Sequence, residues 1–230
     1  MTALIRMRLV GYLRTGRVVA PLLACLVVIF MLYGGGRSQA GEAYGVSALI
    51  MFAVLAWQTK LLLDAEPDVQ RRLALVAVGS ARGEWAAGLL AAALAALPLI
   101  AVAMVTPWAL SGIQGPVRPD DPSLWSGVAV GVWAHLIVVA PAVALGALAS
   151  RAVTRTFGFG VAALVTGAVL SLVLGLRGSP MWWLVPPMMS ITRRSADGFA
   201  MAGVATLSLQ AALWTTAAVI GYARIRRVRA

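Results

Sequence analysis

The chain carries one histidine, one lysine and one cysteine, so any chemistry it performs rests on very few groups. His135 lies near the middle of an apolar run, on the same helical face as Gly127 and Gly131. An ionisable group at membrane depth is a functional candidate. A neutral histidine donating one interhelical hydrogen bond has the same appearance in sequence. A hydrolase dyad would pair His135 with Ser47 or Ser171, but no Gly-x-Ser-x-Gly turn supports one. A lone histidine also excludes a histidine-pair zinc site. Asp120 and Asp121 are adjacent in the proline-rich stretch Pro116–Pro122, which reads as a solvated turn rather than a magnesium site. Lys60 sits in Gln58-Thr59-Lys60-Leu61-Leu62 and so belongs to no phosphate-binding loop, which requires Gly-Lys followed by Ser or Thr. Cys25, inside an apolar run, reads as a small buried hydrophobe. No catalytic residue, metal ligand or cofactor site is assigned on this basis.

The elements that must position these groups follow from composition. The 230 residues are 61% hydrophobic and only 12% charged, with a mean hydropathy of +0.89. A soluble domain of this size needs far more polar surface. A bilayer is the solvent that accepts so much apolar side chain, and each crossing takes about 20 residues. The expected fold is therefore an all-α integral membrane protein, a single transmembrane domain over residues 1–230. A formal net charge of +11 raises nucleic acid as a partner, but the charges lie between apolar runs rather than along one face. Nucleic acid is set aside. Of the basic residues 18 are arginine, in a chain rich in Ala, Val, Leu and Gly, the composition of a GC-rich bacterial gene.

Six spans are expected: Val18–Tyr33, Tyr44–Leu63, Trp85–Thr106, Leu124–Ala149, Phe157–Leu176 and Phe199–Tyr222. Residues 1–17 read as an amphipathic interfacial helix, with Ile5, Leu9, Tyr12 and Leu13 at helical spacing among Arg6, Arg8, Arg14 and Arg17. A cleaved signal peptide is disfavoured, because the run ending in Gly34–Gly36 has no small-residue cleavage site. Basic residues accumulate on the cytoplasmic side of membrane proteins. On one side fall 14 of the 19: Arg6, Arg8, Arg14, Arg17, Lys60, Arg71, Arg72, Arg82, Arg151, Arg155, Arg224, Arg226, Arg227 and Arg229. The other side holds five, Arg37, Arg118, Arg177, Arg193 and Arg194. Both termini are thus expected in the cytoplasm of a bacterial cell membrane. Small residues recur every four positions at Gly88, Ala92 and Ala96, at Gly127 and Gly131, and at Ala163, Gly167, Ser171 and Gly175. Such stripes let helix backbones approach closely, within one bundle or between subunits.

The segment 64–84 is predicted to hold a short amphipathic helix on the cytoplasmic surface. Pro67 suits a first helical turn, Asp68 the positive end of the helix dipole, and Gly79 a helix end. Val69, Leu73 and Val76 share one face, with Arg71 and Arg72 polar, and Ser80 is placed to cap the following helix; the competing reading is a solvated loop helix that touches only lipid. Residues 177–198 form an outer hairpin. In it Trp182 and Trp183 favour the headgroup level, while Pro186 and Pro187 forbid a regular helix. Met181–Met189 is expected to dip into the outer leaflet and turn back as a lid, the competing reading being an aromatic belt on an ordinary loop.

Together these features resemble the permease subunits of type-2 ABC exporters, the transmembrane partners in drug, natural-product, lipid and polysaccharide export. In that family an acidic residue, arginine, leucine and then serine or glycine precede the third span. Asp68, Arg71, Arg72, Leu73, Gly79, Ser80 and Arg82 stand in those places, and Gly178–Ser190 is similar to the family's proline-containing hairpin. The resemblance implies that an ATP-binding cassette subunit pair, holding ATP and magnesium, drives the chain. ATPase-coupling would then fall to Asp68, Val69, Arg71, Arg72, Leu73 and Val76. A second membrane subunit, the same chain or a relative, would face it across the path. His135 becomes a transport-path candidate, and Trp182, Trp183, Pro186 and Pro187 an outer-gate candidate. Short outer loops argue against large polymeric cargo and leave an amphipathic or apolar small molecule. Two alternatives make other demands. An intramembrane enzyme needs His135 and a nearby serine or carboxylate, and a scaffold or regulatory subunit needs neither His135 nor ATP.

The charge asymmetry yields a direct test. Reporter fusions at Gly35, Gly115 and Ser179 are expected on the outer face and fusions after Ala230 in the cytoplasm; a cytoplasmic signal at Gly115 rules out six spans.

Overall fold

A computed structural model describes residues 1–198 and 201–229; the side chains of Asp68 and Arg229 also lie outside the described residues. The chain is almost entirely helical. In order it forms α1 (Thr2–Arg14), α2 (Val19–Tyr33), α3 (Ala40–Leu63), α4 (Asp68–Val78), α5 (Ala81–Ala109), α6 (Leu124–Ile137), α7 (Val139–Leu148), α8 (Arg151–Thr154), α9 (Phe157–Val173), α10 (Met188–Ala196) and α11 (Met201–Arg229). Two-residue strands β1 (Ser38–Gln39) and β2 (Ile113–Gln114) pair in parallel.

By length and composition, four helical stretches can cross a membrane: Ala40–Leu63, Ala81–Ala109, Leu124–Thr154 and Met201–Val228. A fifth arises if α1 and α2, bent by 72° to each other, count as one. The difference from six has a simple cause. Helix α2 has 15 residues and α9 has 17, below the roughly 20 needed for 30 Å of hydrocarbon. The expected fourth span is interrupted at Val138, between α6 and α7, just before Pro141, which has no N–H to donate, yet Leu124–Thr154 remains one crossing. The last expected span begins at Phe199, which lies outside the described residues.

Helix α3 is the hub. It packs against α6, α7 and α10, and the main core gathers Met51, Phe52 and Leu55 of α3 with Cys25, Ile29, Leu99, Ala134, Leu145, Met188 and Ile191. The small-residue stripes serve this packing within the chain. A methyl on Gly131 would come within 2.7 Å of Tyr44 Cβ, and one on Gly127 within 2.7 Å of the Gly41 nitrogen. Gly175 of the third stripe faces the side chain of Met189.

The segment between α9 and α11 folds back into the body. Thr192 of α10 hydrogen-bonds the Gly45 carbonyl at 3.1 Å, and Arg193 reaches the Gly175 carbonyl at 3.3 Å. Val185, Pro186, Pro187 and Met188 are buried, whereas Trp182 and Trp183, in a 3₁₀ turn over Trp182–Leu184, are exposed. Tandem proline ends the turn, and α10 then runs antiparallel to the first half of α3. The molecule thus has two ends. One carries β1, β2 and the end of α10, and the other carries α1, α4, α8 and the last turns of α11.

Candidate functional site

Helix α4 is built as a separate, capped unit. Pro67 stands at its N-cap in extended backbone, one position earlier than expected, and Gly79 closes it at φ 68°, a left-handed conformation that glycine adopts freely. Ser80 Oγ then accepts the Gly83 N–H at 2.9 Å and opens α5. The inward face is small: Ala74, with Val78, packs on Leu4 and Ile5 of α1 and Ala87 of α5. The outward face is apolar and open, with Val69 70% exposed, Leu73 65% and Val76 80%. Arg72 is exposed, whereas Arg71 is half-buried and turned toward a small polar void.

That void, of about 10 Å³, is lined by Arg8, Glu66, Arg71, Glu84, Trp85, Tyr222 and Arg226 among others. Arg8 of α1 is its centre. Its Nε and Nη2 donate to Glu66 Oε2 at 3.0 and 2.7 Å, Nη1 to the Glu84 carbonyl at 2.8 Å, and Nη2 to Glu84 Oε1 at 2.5 Å. Arg226 of α11 takes the other Glu84 oxygen at 2.9 Å and reaches the Tyr222 hydroxyl at 3.3 Å. Side chains of Arg8 and Glu84 are 5% and 3% exposed. Gly88, first of the predicted stripe, makes the room: a methyl there would lie 2.7 Å from Arg8 Nη1. A rigid, five-donor guanidinium suits such a site better than an ammonium. One cation therefore holds residues on both sides of α4, Glu66 before it and Glu84 after it.

A second ionic cluster lies at the same end. Lys60 Nζ bonds Asp64 Oδ2 at 2.5 Å and stands 5.1 Å from the centre of the Phe157 ring. Asp64 Oδ1 accepts the Arg151 N–H at 2.7 Å, and its carbonyl accepts Arg151 Nη2 at 2.9 Å. The end of α3 is thereby joined to α8 and the start of α9. Sequence reasoning counted Arg8, Lys60, Arg151 and Arg226 as topology markers and passed over Glu66, Glu84 and Asp64 as partners. A signal existed: of eight acidic residues in the chain, Asp64, Glu66, Asp68 and Glu84 all fall in residues 64–84. An acid beside an apolar span needs a cation.

His135 is fully buried between α6 and α3. Nδ1 lies 2.8 Å from the Gly131 carbonyl, so it carries the proton, and Nε2 accepts from Ser47 Oγ at 2.9 Å. The Tyr44 ring meets the imidazole edge-on. This is the serine–histidine contact of a dyad, but the second ring nitrogen meets a backbone carbonyl where a carboxylate would orient it, and Ser47 is 1% exposed. Ser171 instead donates to the Gly167 carbonyl at 2.7 Å within α9. Asp121 accepts the backbone N–H groups of Arg118 and Val117 at 2.7 and 2.8 Å, which hold its carboxyl below the ordinary value. Its turn is closed by its own backbone. Trp182 and Trp183 stand exposed in the hairpin, and Pro186 and Pro187 are buried beneath them.

No family model, curated protein or solved structure matches the chain. The functional reading therefore rests on residues alone.

Two substitutions separate the ionic cluster from the histidine. Arg8→Ala strips buried Glu66 of the guanidinium that bonds it and leaves Glu84 with Arg226 alone, and is expected to cost about 3–5 kcal/mol in a thermal melt of the purified protein. His135→Leu removes one interhelical hydrogen bond and is expected to cost only about 0.6–2 kcal/mol, with His135→Gln milder. Equal losses would mean that the Arg8 cluster is no keystone.

Proposed function

We propose that the chain is the membrane subunit of an exporter driven by ATP hydrolysed on separate subunits, with α4 as the docking helix. The observation that carries this reading is the open apolar stripe Val69–Leu73–Val76 on a helix whose flanks, Glu66 and Glu84, are both held by Arg8. An amphipathic helix presenting such a face fits a groove on a partner. The clamp supplies the other requirement, since a push on α4 reaches the spans only if α4 cannot swing freely.

In this reading the end carrying α1 and α4 faces the cytoplasm of a bacterial cell, as the arginine excess there favours, and six crossings are completed by α2 and by α9 with the hairpin. ATP and magnesium belong to the ATP-binding cassette pair. A second membrane subunit closes the path, and the 182–187 turn lids its exit. Cargo is a small amphipathic or apolar molecule. Closure of the ATP-binding pair favours one arrangement of the spans by differential contact with α4. His135 serves as an interhelical bond in this scheme.

A second reading, an intramembrane hydrolase, draws on the 2.9 Å contact between Ser47 and His135. It requires both residues to open to water from full burial.

The stripe tests the choice. Leu73→Asp with Val76→Asp alters side chains already exposed and is expected to leave insertion and melting unchanged, because surface substitutions act within about 0.5 kcal/mol. The ATPase that co-purifies with the parent chain from its native host is expected to be lost, and transport with it. Retention of ATPase and transport by the double variant overturns the docking role.

A further inference from the structure

Helix α11 is held unlike its neighbours. Only 6% of its most apolar 18 residues are buried, against 39–61% for the other three long apolar stretches. Its polar attachments are few and sit at two levels. At the lower level Arg226 bonds Glu84 Oε2 at 2.9 Å and the Tyr222 hydroxyl at 3.3 Å, with the Tyr222 ring edge-on to Trp85. Higher up, Trp214 Nε1 donates to the Leu184 carbonyl at 2.9 Å, and Ser208 Oγ accepts Trp133 Nε1 at 3.0 Å. Trp214 and Arg226 stand 12 residues apart in an unbroken helix, about 18 Å along its axis.

Leu184 closes the 3₁₀ turn carrying Trp182 and Trp183, two residues before the tandem proline. Its carbonyl is one that neither the turn nor the prolines can satisfy, since proline has no N–H. The Trp214 indole supplies that missing donor at 2.9 Å and so attaches the turn to α11. Glu84 at the lower end is shared, one oxygen with Arg8 and the other with Arg226.

We propose that α11 is a tie rod between the docking end and the hairpin: displacement of α4 passes from its flanking Glu66 through Arg8 to Glu84 of α5, on to Arg226, along the helix, and through Trp214 to the Leu184 carbonyl. The helix packs on α7 and α8 with most of its surface open, and its two polar ends make it carry load. The hairpin thereby opens or closes in step with α4. The proposal rests on the exporter reading for what drives the motion, and on geometry alone for the route.

The test needs no ATPase, so its outcome is independent of whether α4 docks one. On a Cys25→Ala background, Trp183→Cys places a single thiol on the exposed turn. Its labelling rate by a membrane-impermeant maleimide is measured in membranes for the parent, Arg226→Gln, Trp214→Phe and the pair. Cutting the rod at either end is expected to change the rate about fivefold or more, the lower bound of ordinary site-to-site coupling. The pair is expected to match the larger single effect, because both substitutions interrupt one connection. An unchanged rate in Arg226→Gln overturns the proposal, as does multiplication of the two single effects in the pair. Where Arg226→Gln fails to insert, Tyr222→Phe removes only the hydroxyl that meets Arg226 and is expected to shift the rate in the same direction; no shift overturns it equally.

Discussion

One guanidinium organises the end of the molecule where its charges gather. Arg8 donates four hydrogen bonds, two to Glu66 and two to Glu84, and so draws together α1, the turn before α4 and the first turn of α5. Burying two carboxylates and two arginines carries a desolvation cost that their attraction only roughly offsets, so such a cluster is weak evidence of stability. It is stronger evidence of specificity. With Glu84 filled on both oxygens, one arrangement of α1, α4, α5 and α11 satisfies the charges, and a sliding of any one helix strands an ion.

The opposite end is built on another principle. There the backbones come close through Gly41, Gly45, Gly127 and Gly131, and the ring of Tyr44 fills the space that a side chain on Gly131 would claim. Packing of this kind is stiff, because interiors tolerate few voids and little overlap. The hub α3 belongs to both regimes, with glycine contacts at its start and the Lys60–Asp64 pair at its finish.

Much of this was legible in the sequence. Apolar runs placed α3 and α5 to within a few residues, because hydropathy and helix formation share a cause in lipid, while α11 runs on to Arg229, past the expected Tyr222. The caps of α4 and α5 at Gly79 and Ser80 followed from turn chemistry. The ionic clusters did not, since a window of residues treats every arginine as solvated and cannot say that Arg8 meets Glu84 across 76 positions. Nor did the inward face of α1. Leu4, Arg8 and Tyr12 are buried there with Ile5 and Leu9 packed beside them, so most of the apolar stripe turns into the body together with an arginine, and of that stripe only Leu13 is exposed. The break at Val138 lay under unbroken hydropathy, and Pro141 was its one signal in the sequence.

Lys60 carries a practical consequence. It is the chain's sole lysine, and its ammonium is buried, bonded to Asp64 and covered by the Phe157 ring. Amine-directed reagents therefore find no side chain to modify while the fold is intact. A label on this residue marks a molecule whose α3–α8 junction has come apart. The protein thus contains its own chemical gauge of unfolding, readable by mass against a background of arginines that such reagents ignore.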